Sequence, residues 1–199
     1  PATAGAVSLV RGTWCIIAYQ AYSARLRGQL SSNVRRHRMS VPERYLDFWR
    51  AFANTRDTDP TPRFLEAFYF DDNEPSANEL AMLVVAGRKR ATAGLLWSHE
   101  AEKKPVPAPG DLSIVTDFAG NEICIIETTR VDIVPFSAVS AEFAATEGEG
   151  DGSLGYWRKV HEAFFGRECE RIGRSPEPDM PVVCERFQVV FTPAAEGDA

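Results

Sequence analysis

Leu112-Ser-Ile-Val-Thr-Asp-Phe-Ala-Gly-Asn-Glu-Ile-Cys-Ile-Ile-Glu-Thr-Thr-Arg-Val-Asp-Ile-Val134 carries two β-branched, apolar runs on either side of Gly120-Asn121. Isoleucine, valine and threonine are stiff at χ1 and fit a pleated surface, so both runs are expected as strands. The short join makes them a hairpin, Leu112–Asp117 with Ile123–Val134, entered through a Gly110-Asp111 turn. Pro135-Phe136 breaks the second strand, because proline has no ladder donor.

On either side of the hairpin, three further runs read as strands. Phe64–Phe70 is short and aromatic, and Thr92–Trp97 is similar in length. Pro181–Phe191 is apolar on every side except at Glu185, Arg186 and Gln188, which fits an inner strand. Helices are expected from a capping box at Ser40-Val-Pro-Glu43, running to about Ala53 with Tyr45, Phe48, Trp49 and Phe52 as its stripe. A second box, Ser76-Ala-Asn-Glu79, opens a helix closed by a left-handed Gly87. A short helix follows Phe136 to about Ala145, and Ser153 caps the longest one, which ends near Gly173. Asp57–Pro62, the charged and proline-rich Ser98–Pro109, and the acidic Thr146–Gly152 read as loops. The order β-α-β-β-β-α-α-β alternates too little for a doubly wound sheet. It fits an α+β domain over residues 40–192, built as a small mixed β-barrel with peripheral helices.

The 199 residues suit one domain with tails, and a core of that size holds together without metals or disulfides. Cys15, Cys124, Cys169 and Cys184 form no C-x-x-C pair, so they are expected as reduced, buried thiols of a cytoplasmic protein. His37, His99 and His161 have no zinc spacing, and neither a metal nor a cofactor is expected. The net charge of −6 is unevenly spread: residues 1–38 hold six arginines and no acid, which leaves −12 on the remainder. Such a remainder is unsuited to gripping long duplex DNA, although a short single strand or a small ligand can meet a local basic pocket. Residues 1–39 are expected to lie outside the domain, as a basic leader that is disordered or precedes a natural start at Met39. Their apolar stretch, Trp14–Ala24, is too short to span a bilayer, and residues 193–199 are expected as a disordered tail.

No Walker loop, G-x-S-x-G elbow or H-E-x-x-H is present. Three segments carry polar groups that a fold does not demand. Gly87-Arg-Lys-Arg-Ala-Thr92 places three cations at a helix end, where they can complement the dipole or put Lys89 and Thr92 into a pocket. The second arrangement needs Lys89 in the turn, since an offset of three points opposite ways in a strand. Thr146-Glu-Gly-Glu-Gly-Asp-Gly152 is either a solvated acidic loop or a close approach to a ligand. His161 falls on the apolar stripe of the long helix with Leu154, Trp157 and Phe164, as a bonded core histidine or a site residue.

Leu83–Trp97, Pro109-Gly-Asp111, Val134-Pro-Phe136, Phe143–Leu154, Trp157-Arg-x-x-His161 and Val182–Phe187 together resemble the activating-signal-cointegrator homology (ASCH) domain, in its longer bacterial branch. The resemblance runs from about Val41 to Phe191 and implies a PUA-like barrel associated with RNA binding. Small members of that family are amidohydrolases that deacylate N4-acetylcytidine, using a G-x-K-x-x-T motif and a glutamate after a short helix. Gly87, Lys89 and Thr92 match the motif, and Glu147 matches the glutamate, with Glu149 the other candidate. The resemblance therefore implies Thr92 as nucleophile, Lys89 as its base and Glu147 as the acid. That needs a Lys89 pKa depressed by burial and by Arg88 or Arg90, and a raised Glu147 pKa. Arg88, Arg90, Trp97, Glu149, Asp151, Trp157 and His161 are the expected binding residues, with Tyr69, Trp97 or Trp157 stacking on a base. The expected partner is a modified nucleoside or short single-stranded RNA, with no membrane. A non-catalytic RNA-binding module and a ribonuclease using the same pocket are the competing functions.

Overall fold

The computed structural model describes residues 40–193. The expectations for residues 1–39 and 194–199, and for Cys15 and His37, lie outside the described residues. The strands are β1 (Phe64–Phe68), β2 (Ala91–Leu95), β3 (Leu112–Thr116), β4 (Glu122–Pro135) and β5 (Pro181–Phe191). The helices are α1 (Leu46–Ala53), α2 (Glu74–Val85), α3 (Leu96–Glu102), α4 (Ala141–Glu147) and α5 (Leu154–Arg171).

The five strands form one mixed sheet in the order β1-β3-β4-β5-β2. β1 runs parallel to β3, and the other pairs are antiparallel. β3 and β4 are the expected hairpin, with Gly120 at φ +84° and the Asp117 carboxylate accepting from the Asn121 amide at 2.7 Å. β5 is an inner strand, as its two-sided apolar pattern requires. The barrel is not closed: β1 and β2 stay as unpaired edges, and residues of both line the same cavity.

Strand alternation assigns the faces. Leu112, Ile114 and Ile125 pack on Tyr45, Trp49 and Phe52 at the N-terminal helical end. Val115, Cys124, Ile126 and Phe187 point the other way, onto Ala81 and Val84 of α2. Ala91, Leu95, Val182 and Cys184 pack against Phe143, Trp157 and Phe165 from α4 and α5. Each fully buried large apolar side chain here contributes roughly 1.5–3 kcal/mol. Because Ala91 and Leu95 face that core, Thr92 and Gly94 turn to the opposite face, into the cavity.

Three local expectations are corrected. No side chain caps the first helix; a 3-10 turn over Glu43–Tyr45 precedes α1 instead. α2 starts earlier than its expected box, capped by Asn73, whose side chain accepts from the Ser76 amide, with Pro75 in the first turn. Ser98–Pro109 is not all loop, since its first residues belong to α3. Pro105, Pro107 and Pro109 follow that helix, where proline commonly stands, and Lys103 closes it at φ +56°. The cap at Ser153 forms as expected, and α4 is capped by Ser140, whose side chain accepts from the Phe143 amide. Cys124, Cys169 and Cys184 are free and buried. No helix among the described residues is long and apolar enough to cross a membrane.

Candidate functional site

The chain from α2 to β2 places the first site residue. Gly87 takes φ +71°, and the Lys89 amide donates to the Leu83 carbonyl at 3.0 Å, so Lys89 sits in the turn that closes α2. Its side chain enters the protein and is 1% exposed. Thr92 follows on β2, facing the same cavity.

The C-terminus of α4 supplies the counterion. The Arg90 amide donates to the Thr146 carbonyl at 3.0 Å, which ties the two segments together. Gly148 caps α4 at φ +70°, so close to the neighbouring backbone that a Cβ would stand 2.3 Å from the Arg88 carbonyl oxygen. Only glycine allows this approach, which aligns Glu147 with Lys89.

Lys89 Nζ donates to Glu147 Oε1 at 3.2 Å and also to Glu149. The ammonium stands 5.0 Å from the centre of the Phe70 ring. Glu147, also 1% exposed, accepts a hydrogen bond from Trp157 Nε1 through its second oxygen. His161 Nε2 lies 3.7 Å from Glu147 Oε1, while Nδ1–H donates to the Trp157 carbonyl at 3.0 Å. The imidazole stacks on the Trp157 indole at 4.1 Å between ring centres.

Burial alone pushes the Lys89 ammonium towards neutrality, but the Glu147 and Glu149 carboxylates outweigh it and leave its pKa raised. Burial likewise pushes Glu147 up, and Lys89, His161 and Trp157 overcome it, holding Glu147 well below the usual carboxylate range. The site therefore rests as an ammonium between two carboxylates. Both directions are opposite to those the implied mechanism needs. Arg88 and Arg90 are exposed and outside the cavity wall, and neither is among the groups that shift Lys89.

These residues open onto a cavity of about 850 Å³, within the range of small-ligand sites. Lys89, Thr92, Glu147, Glu149 and His161 all line it. Tyr69 and Tyr156, 45% and 40% exposed, also contribute to its wall. Trp97, Trp157 and Asp151 do not line it. Trp97 packs on the core with the Arg174 guanidinium 4.4 Å from its ring centre, and Trp157 is buried against Phe136 and Phe143. Asp151 is exposed and accepts from the Ser153 amide at 2.8 Å, shaping the entry to α5. Among the described residues no group of three or more His, Cys, Asp or Glu side chains is arranged to hold a metal ion.

Gly94 and His99 also line the cavity and were not legible as site residues. His99 looks like part of a charged loop until α3 is seen to follow β2 directly. Glu185 is a further missed group. It is 7% exposed, accepts from Thr128 Oγ1 at 2.5 Å, and is pushed up to about 7, chiefly by burial.

The fold is thus an α+β domain with one five-stranded mixed sheet, peripheral helices and a buried Lys–Glu pair beside a cavity. The ASCH domain family model matches residues 66–191, more than half of the chain, and the chain belongs to that family. It is similar to the crystal structure of an ASCH domain from Lactobacillus crispatus JV V101, with 37% identity and a TM-score of 0.70. That match covers 75% of this chain and 96% of the other. A protein from Enterococcus faecalis V583 matches at 34% identity and a TM-score of 0.64, over 73% of this chain and 86% of that one. No curated protein matches the chain.

Proposed function

We propose that the protein is a metal-independent amidohydrolase that removes the acyl group from N4-acetylcytidine-like nucleosides. The observation that carries this reading is the convergence of Lys89, Thr92 and Glu147 on one cavity, with both charged groups 1% exposed. Two buried opposite charges are no gain in stability over apolar packing, so a chemical use is the better reason for them. The cavity wall carries eight carboxylates against five cations, which favours an uncharged nucleoside over a phosphate chain.

The charge state changes the roles that the resemblance implies. As an ammonium, Lys89 is a donor: it polarises the acyl carbonyl and supplies the proton that the departing exocyclic nitrogen needs. Glu147 keeps it charged and aimed. Glu149 is the partner that a substrate can displace, since it is 14% exposed and stands between glycines at left-handed φ. Thr92 is the nucleophile and forms an acyl ester that water hydrolyses. Tyr69 and Tyr156 are the aromatic faces available to the base.

The test is chromatography of N4-acetylcytidine incubated with the protein and with its Lys89→Ala and Thr92→Ala variants. Cytidine formed by the parent and by neither variant supports the reading. No cytidine from a folded parent removes it and leaves RNA binding or cleavage at the same pocket.

A further inference from the structure

An ammonium at Lys89 cannot take the proton from Thr92, so the amidohydrolase reading lacks a base. The geometry supplies one at the start of α3. His99 Nδ1 lies 3.2 Å from the Pro105 carbonyl oxygen, which can only accept, so Nδ1 carries the proton. Nε2 is then the lone-pair nitrogen. It stands 3.3 Å from where a Cβ on Gly94 would be. A glycine within a strand weakens it and marks a close approach, and here the group approaching is the imidazole. Gly94 and Thr92 share one face of β2, roughly 7 Å apart, and both line the cavity with His99. Among the described residues the Thr92 hydroxyl has no hydrogen-bond partner.

We propose that His99 is the general base for Thr92, its Nε2 taking the hydroxyl proton directly or through one bridging water. The Pro105 carbonyl fixes the tautomer, as the orienting group of a nucleophile–base pair does. Burial lowers the His99 pKa, the Pro105 hydrogen bond and Glu102 oppose this, and Lys104 adds to it, so the ring is neutral and ready to accept. Glu66 of β1 and Glu168 and Arg171 of α5 line the same cavity.

The proposal rests on the amidohydrolase reading, and its steps balance. Thr92 Oγ bonds to the acyl carbon as its proton moves to His99. The carbon–nitrogen bond breaks and the nitrogen takes a proton from Lys89. Water then adds to the acyl ester and returns a proton to Lys89, while Thr92 Oγ leaves with the proton held by His99. The products are the amine and the carboxylic acid.

The experiment uses the full chain, His99→Ala and His99→Gln, with thermal melts to confirm folding. Cytidine release from N4-acetylcytidine is measured against pH, with and without added imidazole. Acetylation of Thr92 by p-nitrophenyl acetate, mapped by peptide mass spectrometry, is followed in parallel and does not depend on the natural substrate. Loss of about 100-fold or more in kcat/KM and in Thr92 acetylation, with imidazole restoring His99→Ala, is the expected result. The acid limb of the parent profile should lie below the ordinary histidine value of about 6.5 and vanish in both variants. Folded variants that keep the parent rate and limb overturn the proposal and leave the amidohydrolase reading standing. A parent that forms no cytidine but acetylates Thr92 only when His99 is present ends that substrate and keeps the base. A parent whose Thr92 is never acetylated overturns the base.

Discussion

Lys89 and Glu147 lie 58 positions apart in sequence and 3.2 Å apart in space, and neither reaches solvent. Removing one partner of such a pair leaves an uncompensated buried charge, a loss of about 3–5 kcal/mol. Lys89→Met is therefore expected to lower stability by that amount at pH 8, and adding Glu147→Gln to recover most of it, both read by denaturant unfolding. The acid limbs should run in opposite directions. In the parent, the depressed Glu147 pKa gives stability that is present above about 4.5 and lost as pH falls towards about 2. In Lys89→Met, burial of Glu147 is no longer offset by the ammonium and should push its pKa up, so stability should increase as pH falls towards about 4.5 and stay level below it. Glu185 offers a separate check. Its raised pKa means stability that is full below about 4.5 and lost as pH rises through about 7. Glu185→Gln should flatten that decline, a difference of up to about 3 kcal/mol between pH 5 and pH 8.

Among the elements, the α4 C-terminus carries the site. Gly148→Ala places a methyl group against the Arg88 carbonyl oxygen and forces a side chain into left-handed backbone. The expected outcome is a drop in Tm and a larger loss of turnover, because the strain falls on the segment that aligns Lys89. Ser153→Ala removes the cap of α5 and should cost about 1 kcal/mol in unfolding measurements, with little change in turnover. The regular elements were largely legible in sequence. β-branched apolar runs on either side of Gly120-Asn121 marked the hairpin, and Ser153 with Gly173 marked the ends of α5. The first two capping boxes misled because Ser40 and Ser76 match the pattern while Asn73 and a 3-10 turn do the work. α3 was hidden by its composition, being short, charged and followed by prolines, and His99 was hidden with it. Glu185 was hidden differently: one acid in an apolar strand gives no sign of whether it is neutral or paired.

In the molecule as a whole, the open edges of β1 and β2 leave the sheet with a cavity where a closed barrel would have none. Closure would have filled the interior with side chains, whereas the unpaired edges leave a cavity into which both strands contribute. The motif match had pointed to Lys89, Thr92 and Glu147 without fixing their charge states. Those depend on burial and on partners such as Glu149 and Trp157, which only the fold brings within reach. The acidic wall should also show in specificity: N4-acetylcytidine 5′-monophosphate is expected to be a poorer substrate than the nucleoside, with the difference shrinking as salt rises.

The most direct test of a hydrolytic Thr92 is to quench the protein during incubation with N4-acetylcytidine and locate acetyl groups by peptide mass spectrometry. One acetyl group on the peptide containing Thr92, absent from Thr92→Ala and accompanied by free cytidine, is the expected result. Cytidine released while Thr92 stays unmodified and Thr92→Ala keeps full activity would contradict it.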